Sequence, residues 1–247
     1  MDRLLAGLEE IYPRHAERLR AHLAGGLGGA ERHAALLRLA VLLHDVSKPE
    51  CAKRIGGRLR FFGHDAKGAE RVEAILRRLR FSGDEIAMSR AAVLHHLRPG
   101  NLAAGGRLSD KAIFRFFRDL GPHGVDLLLL CWADHASYLK PAALERLLPR
   151  VAREPAHEKR GTEAERKTLY HLQVVSTLLA KRFERPDVVL PPKLLDGNEI
   201  MKALKIPPGP EIGRLMGLLQ EAQAAGKVRA REEAVAFLKK KVRPRKS

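Results

Sequence analysis

The sequence predicts an all-α protein, on two observations. Ala, Leu and Arg are abundant, whereas aromatic residues make up only 5% of the 247, a composition that suits helices better than pleated sheets. Almost every patterned segment also repeats its apolar residues at three- and four-residue intervals, the period of an amphipathic helix.

Taken in order, Leu4 to Leu23 reads as helix, interrupted by Pro13 and ended by Gly25-Gly-Leu-Gly-Gly29. Glu31 to His44 aligns Leu36, Ala40 and Leu43 in one stripe, with Leu37, Val41 and His44 beside it, and Pro49 is expected to stop that helix. Gly56-Gly57 before Arg58-Leu-Arg-Phe-Phe62 predicts a short hairpin or an extended loop. Helices are expected over Lys67 to Leu79, with Val72, Ile75, Leu76 and Leu79 on one face, and over Asp84 to Leu97, closed by Pro99. Ser109 is a good N-cap for a helix that gathers Ile113, Phe116, Phe117 and Leu120. Val125 to Leu139 is apolar nearly all round, which marks it as the central helix of the core. Glu163 to Phe183 is long and amphipathic, a spacer, and Pro186 and Pro191-Pro192 mark a boundary after it. Beyond that boundary, Gly197 to Leu204 and Pro210 to Ala225 read as two helices joined by Lys205-Ile-Pro-Pro-Gly209. The expected organisation is a helical core over 1–155, a connecting helix over 156–190, and a small C-terminal helical hairpin with a basic tail over 191–247.

Lys and Arg number 46 against 29 Asp and Glu, a formal charge of +17. Such an excess attracts phosphate polymers through counterion release, so nucleotide or RNA is the expected partner class. The alternative is an Arg-rich composition that only aids solubility. The tail Lys239-Lys-Lys-Val-Arg-Pro-Arg-Lys-Ser247 holds six basic groups and no acid, and is expected to be solvated. Two cysteines cannot staple a chain of this size, which points to a reducing compartment. No apolar run reaches membrane-spanning length, and acids sit where a signal peptide would be apolar. A cytoplasmic protein without a membrane partner is expected.

The polar residues that fit a helical core badly are His44-Asp45, His64-Asp65, His95-His96 and Asp134-His135. Imidazole nitrogen with carboxylate oxygen suits borderline divalent ions. His44 ends an apolar stripe and Asp134 lies in an apolar helix, so leaving either unpaired would be costly, and a shared cation satisfies both. The alternatives are a helix C-cap for His44 and an ion pair with an arginine for Asp134.

Leu42-Leu-His-Asp-Val-Ser-Lys-Pro49 resembles the signature of the HD-domain phosphohydrolases, an all-helical superfamily. More narrowly, Arg60-Phe-Phe-Gly-His-Asp-Ala-Lys-Gly-Ala-Glu70, Leu79-Arg-Phe-Ser82, His95-His-Leu-Arg-Pro99 and Ser109-Asp-Lys-Ala-Ile-Phe-Arg-Phe-Phe-Arg118 resemble the HD region of bacterial CCA-adding enzymes (tRNA nucleotidyltransferases). Leu194-Leu-Asp-Gly-Asn-Glu-Ile-Met201 and Ile206-Pro-Pro-Gly-Pro-Glu-Ile-Gly213 resemble their C-terminal segment. The resemblance implies an HD-domain helical bundle and a metal-dependent phosphohydrolase acting on phosphate esters of nucleotides or RNA ends, tRNA included. It makes His44, Asp45 and Asp134 ligands to a divalent ion (Mn, Fe, Co, Ni, Zn or Mg). His95 or His96 would be a further ligand, and His64 a ligand or proton-transfer partner. Lys48 and Arg98 would neutralise the phosphate, the alternatives being a solvated loop lysine and a surface arginine.

This chain departs from the resemblance in two places. Ser47 stands where the family has glycine before the lysine. The family's first histidine has no clear counterpart: His33 lies roughly 16 Å along one helix from His44, too far to share an ion, and neither His15 nor His22 has the expected surroundings. A function of another class is therefore a non-catalytic RNA-binding body that holds tRNA for a separate nucleotidyltransferase head. Nucleotide addition needs paired carboxylates (Asp-x-Asp) for its metals. No Asp-x-Asp occurs in the sequence, so the chain is not expected to add nucleotides by itself.

Overall fold

The structure is a computed structural model that describes residues 1–104, 108–156 and 159–242. It is all-α, and the two strands among the described residues form a single hairpin. The chain divides into two compact units, Met1–Arg107 with Leu120–Phe183, and Leu108–Asp119 with Glu184–Ser247.

The first unit opens with helices Asp2–Ala6, Leu8–Ile11 and Ala16–Ala24. The chain breaks before Pro13 as expected and again at Gly7. Helix Ala30–Leu43 buries Leu36, Leu37 and Ala40, and His44 is its C-cap. Pro49 does not stop this helix. It sits in the first turn of the short helix Lys48–Cys51, where a missing N–H costs nothing. Pro99 likewise lies at the start of helix Arg98–Ala104 rather than closing the one before. Of the two readings for Gly56-Gly57, the hairpin is found: Lys53–Ile55 pairs antiparallel with Arg58–Arg60, Ile55 facing Arg58. Both glycines take positive φ, 56° and 74°, as a two-residue hairpin loop of the favoured twist requires.

Helix His64–Arg78 starts ahead of the expected Lys67 because Gly63, at φ 80°, turns the chain into it. It packs on helix Gly83–His95 through Val72, Leu76, Ile86 and Val93. Ser82 and Glu85 close a reciprocal capping box on the latter. The central helix is Gly124–Ser137, with Leu127, Leu128, Leu129, Leu130 and Trp132 all buried. Helix Pro141–Val151 was not expected, since Pro141 at its start and Pro149 within it disguise its period. Helix Glu163–Glu184 is found as predicted, and it buries Leu169, Leu172, Val175, Leu178 and Leu179, so it is a core element more than a spacer.

The second unit holds most of helix Asp110–Leu120 together with Pro186–Val189, Gly197–Leu204, Pro210–Ala224 and Arg231–Lys239. Its core is Leu195, Ile200, Leu215, Leu219, Ala222 and Leu238. Asp196 and Glu199 form a second capping box. A third helix, Arg231–Lys239, thus joins the two expected after the proline boundary. Of the predicted basic tail, 243–247 lie outside the described residues. Glu221 is the polar hub of the unit, receiving Arg115 at 2.7 Å, Lys111 at 3.1 Å and Arg118 at 3.3 Å. No helix among the described residues is long and apolar enough to cross a membrane.

Candidate metal centre

Four helix ends deliver the histidines and acids to one place in the first unit. His44 caps helix Ala30–Leu43 and Asp45 follows it; His64 opens helix His64–Arg78; His96 caps helix Gly83–His95; Asp134 lies in the last turn of helix Gly124–Ser137. Each histidine sits three residues after a backbone carbonyl, and its Nδ1–H donates there. The acceptors are Val41 at 2.7 Å for His44, Phe61 at 2.7 Å for His64 and Val93 at 2.6 Å for His96. A ring whose Nδ1 carries the proton presents a bare lone pair at Nε2, and this backbone-fixed tautomer is the usual second shell of a metal-bound histidine.

The three Nε2 atoms converge on the carboxylates. His44 Nε2 lies 3.2 Å from Asp45 Oδ2 and 3.4 Å from Asp134 Oδ1. His64 Nε2 lies 3.3 Å, and His96 Nε2 3.7 Å, from Asp45 Oδ1, and the two nitrogens are 3.1 Å apart. These separations exceed the ~2.7–2.9 Å of a charge-assisted hydrogen bond. All but the 3.7 Å of His96 match the roughly 3.0–3.4 Å between neighbouring donors about 2.1 Å from a common ion. Asp45 Oδ1 is buried without a hydrogen-bond partner, and two lone pairs 3.1 Å apart repel unless a proton or cation lies between them. The donor set Asp45, His64 and His96, whose ligand atoms all lie within 4.8 Å of one another, therefore fits a divalent ion, with His44 and Asp134 beside it.

Residues 13–139 match the HD domain family. The chain belongs to the HD-domain family. It is also 35% identical over 207 residues to the A-adding tRNA nucleotidyltransferase of Deinococcus radiodurans, covering 83% of this chain and 41% of the relative. It is 36% identical over 209 residues to the CC-adding tRNA nucleotidyltransferase of Thermus thermophilus, covering 81% of this chain and 39% of that protein. The chain thus spans about two fifths of the length of these curated relatives. No solved structure matches it.

In this HD domain the electrostatics favour charge separation. With no ion bound, burial opposes a charged His44, yet Asp134 and Asp45 outweigh it and raise the imidazole to about 10, so a cation at Nε2 must displace that proton. Asp45 moves down despite burial, through His44 and Lys48, whose Nζ is 2.5 Å from Oδ2. Asp134 is also lowered against burial, by His44. His96 moves down, chiefly through burial. His44, Asp45, Lys48, His96 and Asp134 line one cavity of about 300 Å³.

The predicted site residues His44, Asp45, Lys48, His64, His96 and Asp134 are thus brought together. His95 and Arg98 are not among the residues lining this cavity, and the converging imidazole is that of His96. His15 packs its ring on Phe183, while His22 and His33 meet Asp126, so none of the three supplies the family's first histidine here. Ser47 holds the family's glycine position at φ −98°, a conformation open to any residue, and the loop forms without glycine. Sequence reasoning missed the opposite wall. His171, from helix Glu163–Glu184, stacks on His135 with ring centroids 3.9 Å apart, and both line the cavity with Tyr138 and Asn101. Burial and the neighbouring His171 push His135 down to about 4. Asp134-His135 was visible as a pair; nothing in the pattern around His171 sets it apart.

Proposed function

We propose that this HD domain is a metal-dependent phosphohydrolase acting on phosphate esters of nucleotides or RNA ends. The observation that carries the proposal is the trio His44, His64 and His96, each locked by a backbone carbonyl so that Nε2 faces Asp45 or Asp134. A divalent ion held there would supply Lewis acidity to water and to a phosphoryl oxygen. His44, His64 and His96 would hold it through Nε2, and Asp45 and Asp134 through carboxylate oxygens. Lys48, on the cavity wall, is placed to neutralise charge that builds on the phosphoryl group. His135 and His171 stay uncharged near neutral pH, so they offer hydrogen bonds to the ester without repelling the cation.

RNA is favoured among phosphate esters by the hairpin that leads into His64. Lys53 faces Arg60 directly across the strands, and Arg54 and Arg58 lie beside them. Like charges in that position are destabilising, and among the described residues none of the four has a carboxylate partner. A polyanion would relieve them. The Deinococcus and Thermus relatives are tRNA nucleotidyltransferases, which places tRNA first among the RNAs to test.

The test is hydrolysis of a generic phosphodiester and a phosphomonoester with added Mn²⁺, Co²⁺ or Ni²⁺. Cation-dependent turnover is expected, together with loss of at least ~100-fold in Asp45→Asn and His64→Gln. Undiminished turnover in the Asp45→Asn/His64→Gln double variant would overturn the assignment. The same hairpin favours a second reading, a non-catalytic RNA-binding body, and salt-sensitive tRNA binding with no hydrolysis under any cation would select it.

A further inference from the structure

A second group of histidines and a carboxylate lies in the first unit, sharing no residue with the centre above. Asp126, in the first turn of helix Gly124–Ser137, is buried, its side chain 3% exposed. Its Oδ1 meets His22 Nε2 at 2.7 Å and His33 Nε2 at 2.8 Å. These imidazoles come from two further helices, Ala16–Ala24 and Ala30–Leu43. His123 Nδ1, on the turn that enters the Asp126 helix, is 3.9 Å from Oδ2.

His33 repeats the device found in the HD centre. Its Nδ1 is 3.3 Å from the carbonyl oxygen of Leu23, which can only accept, so a neutral His33 turns the Nε2 lone pair toward a carboxylate oxygen. Acceptor then faces acceptor. A proton moved to Nε2 satisfies Asp126 but leaves Nδ1 facing the Leu23 oxygen with no hydrogen between them, and a second proton buries an imidazolium–carboxylate pair. A divalent ion resolves it with the rings neutral and every donor used. In a tetrahedral site neighbouring donors lie roughly 3.4 Å apart, so seating the ion parts these pairs by roughly 0.6–0.7 Å. His22, with 22% of its side chain exposed, provides the route in from solvent.

We propose that His22, His33 and Asp126 form a structural cation site for a zinc-class ion, with His123 as the nearest further donor. The ion would tie three helices together across a weak connection. The chain between the two histidine helices contains Leu27, Gly28 and Gly29 in succession at φ 51°, 82° and 100°. A non-glycine residue among them stores strain that needs support from outside the loop. Three ligands on three helices supply it.

The experiment removes the HD centre first. The full chain carrying Asp45→Asn and His64→Gln is stripped with chelator, reloaded with Co²⁺ or Zn²⁺ and passed through a desalting column. Expected are about one retained ion per chain, visible Co²⁺ absorption of a low-coordinate site and a rise in melting temperature on adding Zn²⁺. Adding Asp126→Asn, or separately the rim substitution His22→Gln, should abolish all three while far-UV circular dichroism is unchanged. His22→Gln keeps the test decisive if the core substitution disturbs folding. Retention of no ion by the Asp45→Asn/His64→Gln chain, or undiminished retention after both further substitutions, overturns the proposal. Equal ion content in wild type and the Asp45→Asn/His64→Gln chain, lost with Asp126→Asn, would support this site while removing the hydrolase reading.

Discussion

At the scale of single residues, the HD centre is built from tautomers. His44, His64 and His96 each give Nδ1–H to a carbonyl three residues back, so the backbone decides which nitrogen is free. His44→Gln, which keeps a polar side chain but loses the imidazole, should lower phosphoesterase kcat about 10- to 100-fold and weaken cation binding by a similar factor. Initial rates across a Mn²⁺ titration separate the two effects. Much of this centre is readable in the sequence. His44, Asp45 and Asp134 stand out because charge interrupts apolar helices, and burial makes such interruptions expensive. The choice between His95 and His96 is not readable, because adjacent residues on a helix differ by a rotation that only the packed structure fixes. Arg98 was named only by the family resemblance, and it is not among the residues that line the cavity. His171 reaches the cavity from a helix distant in the chain, and one sequence carries no trace of that contact.

At the scale of elements, turn chemistry was the most legible feature. Gly56-Gly57 made the hairpin, and Ser82 with Glu85 started helix Gly83–His95. Ser82→Ala removes the acceptor for Glu85 N–H and should cost about 1 kcal/mol, a lowering of melting temperature of roughly 2–4 °C, checked by thermal denaturation. The hairpin itself tests the RNA contact. Arg58→Ala with Arg60→Ala should weaken tRNA binding and reduce the slope of log affinity against log salt by about 2, with the fold unchanged. A slope equal to wild type would remove the hairpin from the interface. Two helices escaped notice for opposite reasons. Pro141 and Pro149 read as breaks, although the first occupies a position where proline is tolerated. Arg231–Lys239 was hidden by the basic run that follows it, although Ala234 and Leu238 are buried in the second unit's core.

At the scale of the whole chain, a charge of +17 leaves few acids, and those present carry much of the cation pairing. Glu221 is lowered to about 2, first by Arg115, then against burial by Lys111. A carboxylate whose folded value lies below its ordinary 4.5 stabilises fully above pH 4.5, and that contribution fades as pH falls toward 2. Glu221→Gln should therefore destabilise the second unit by about 1–2 kcal/mol at pH 7, after allowance for solvent screening. The gap between variant and wild type should narrow steadily below pH 4.5 in urea titrations. Net charge and the all-helical class were plain from composition, whereas the division into two units was not. The helix Asp110–Leu120 falls mainly in the second unit although the chain on both sides of it belongs to the first, and no local pattern announces such an excursion. The distribution of chromophores follows the same division. Trp132, the sole tryptophan, is buried in the central helix two positions before Asp134, and Tyr12, Tyr138 and Tyr170 lie in that unit as well. Indole emission thus reports the melting of the first unit alone, while the phenylalanine-only second unit stays dark above 290 nm, so unfolding of the unit that carries the histidine clusters can be followed by itself without a label.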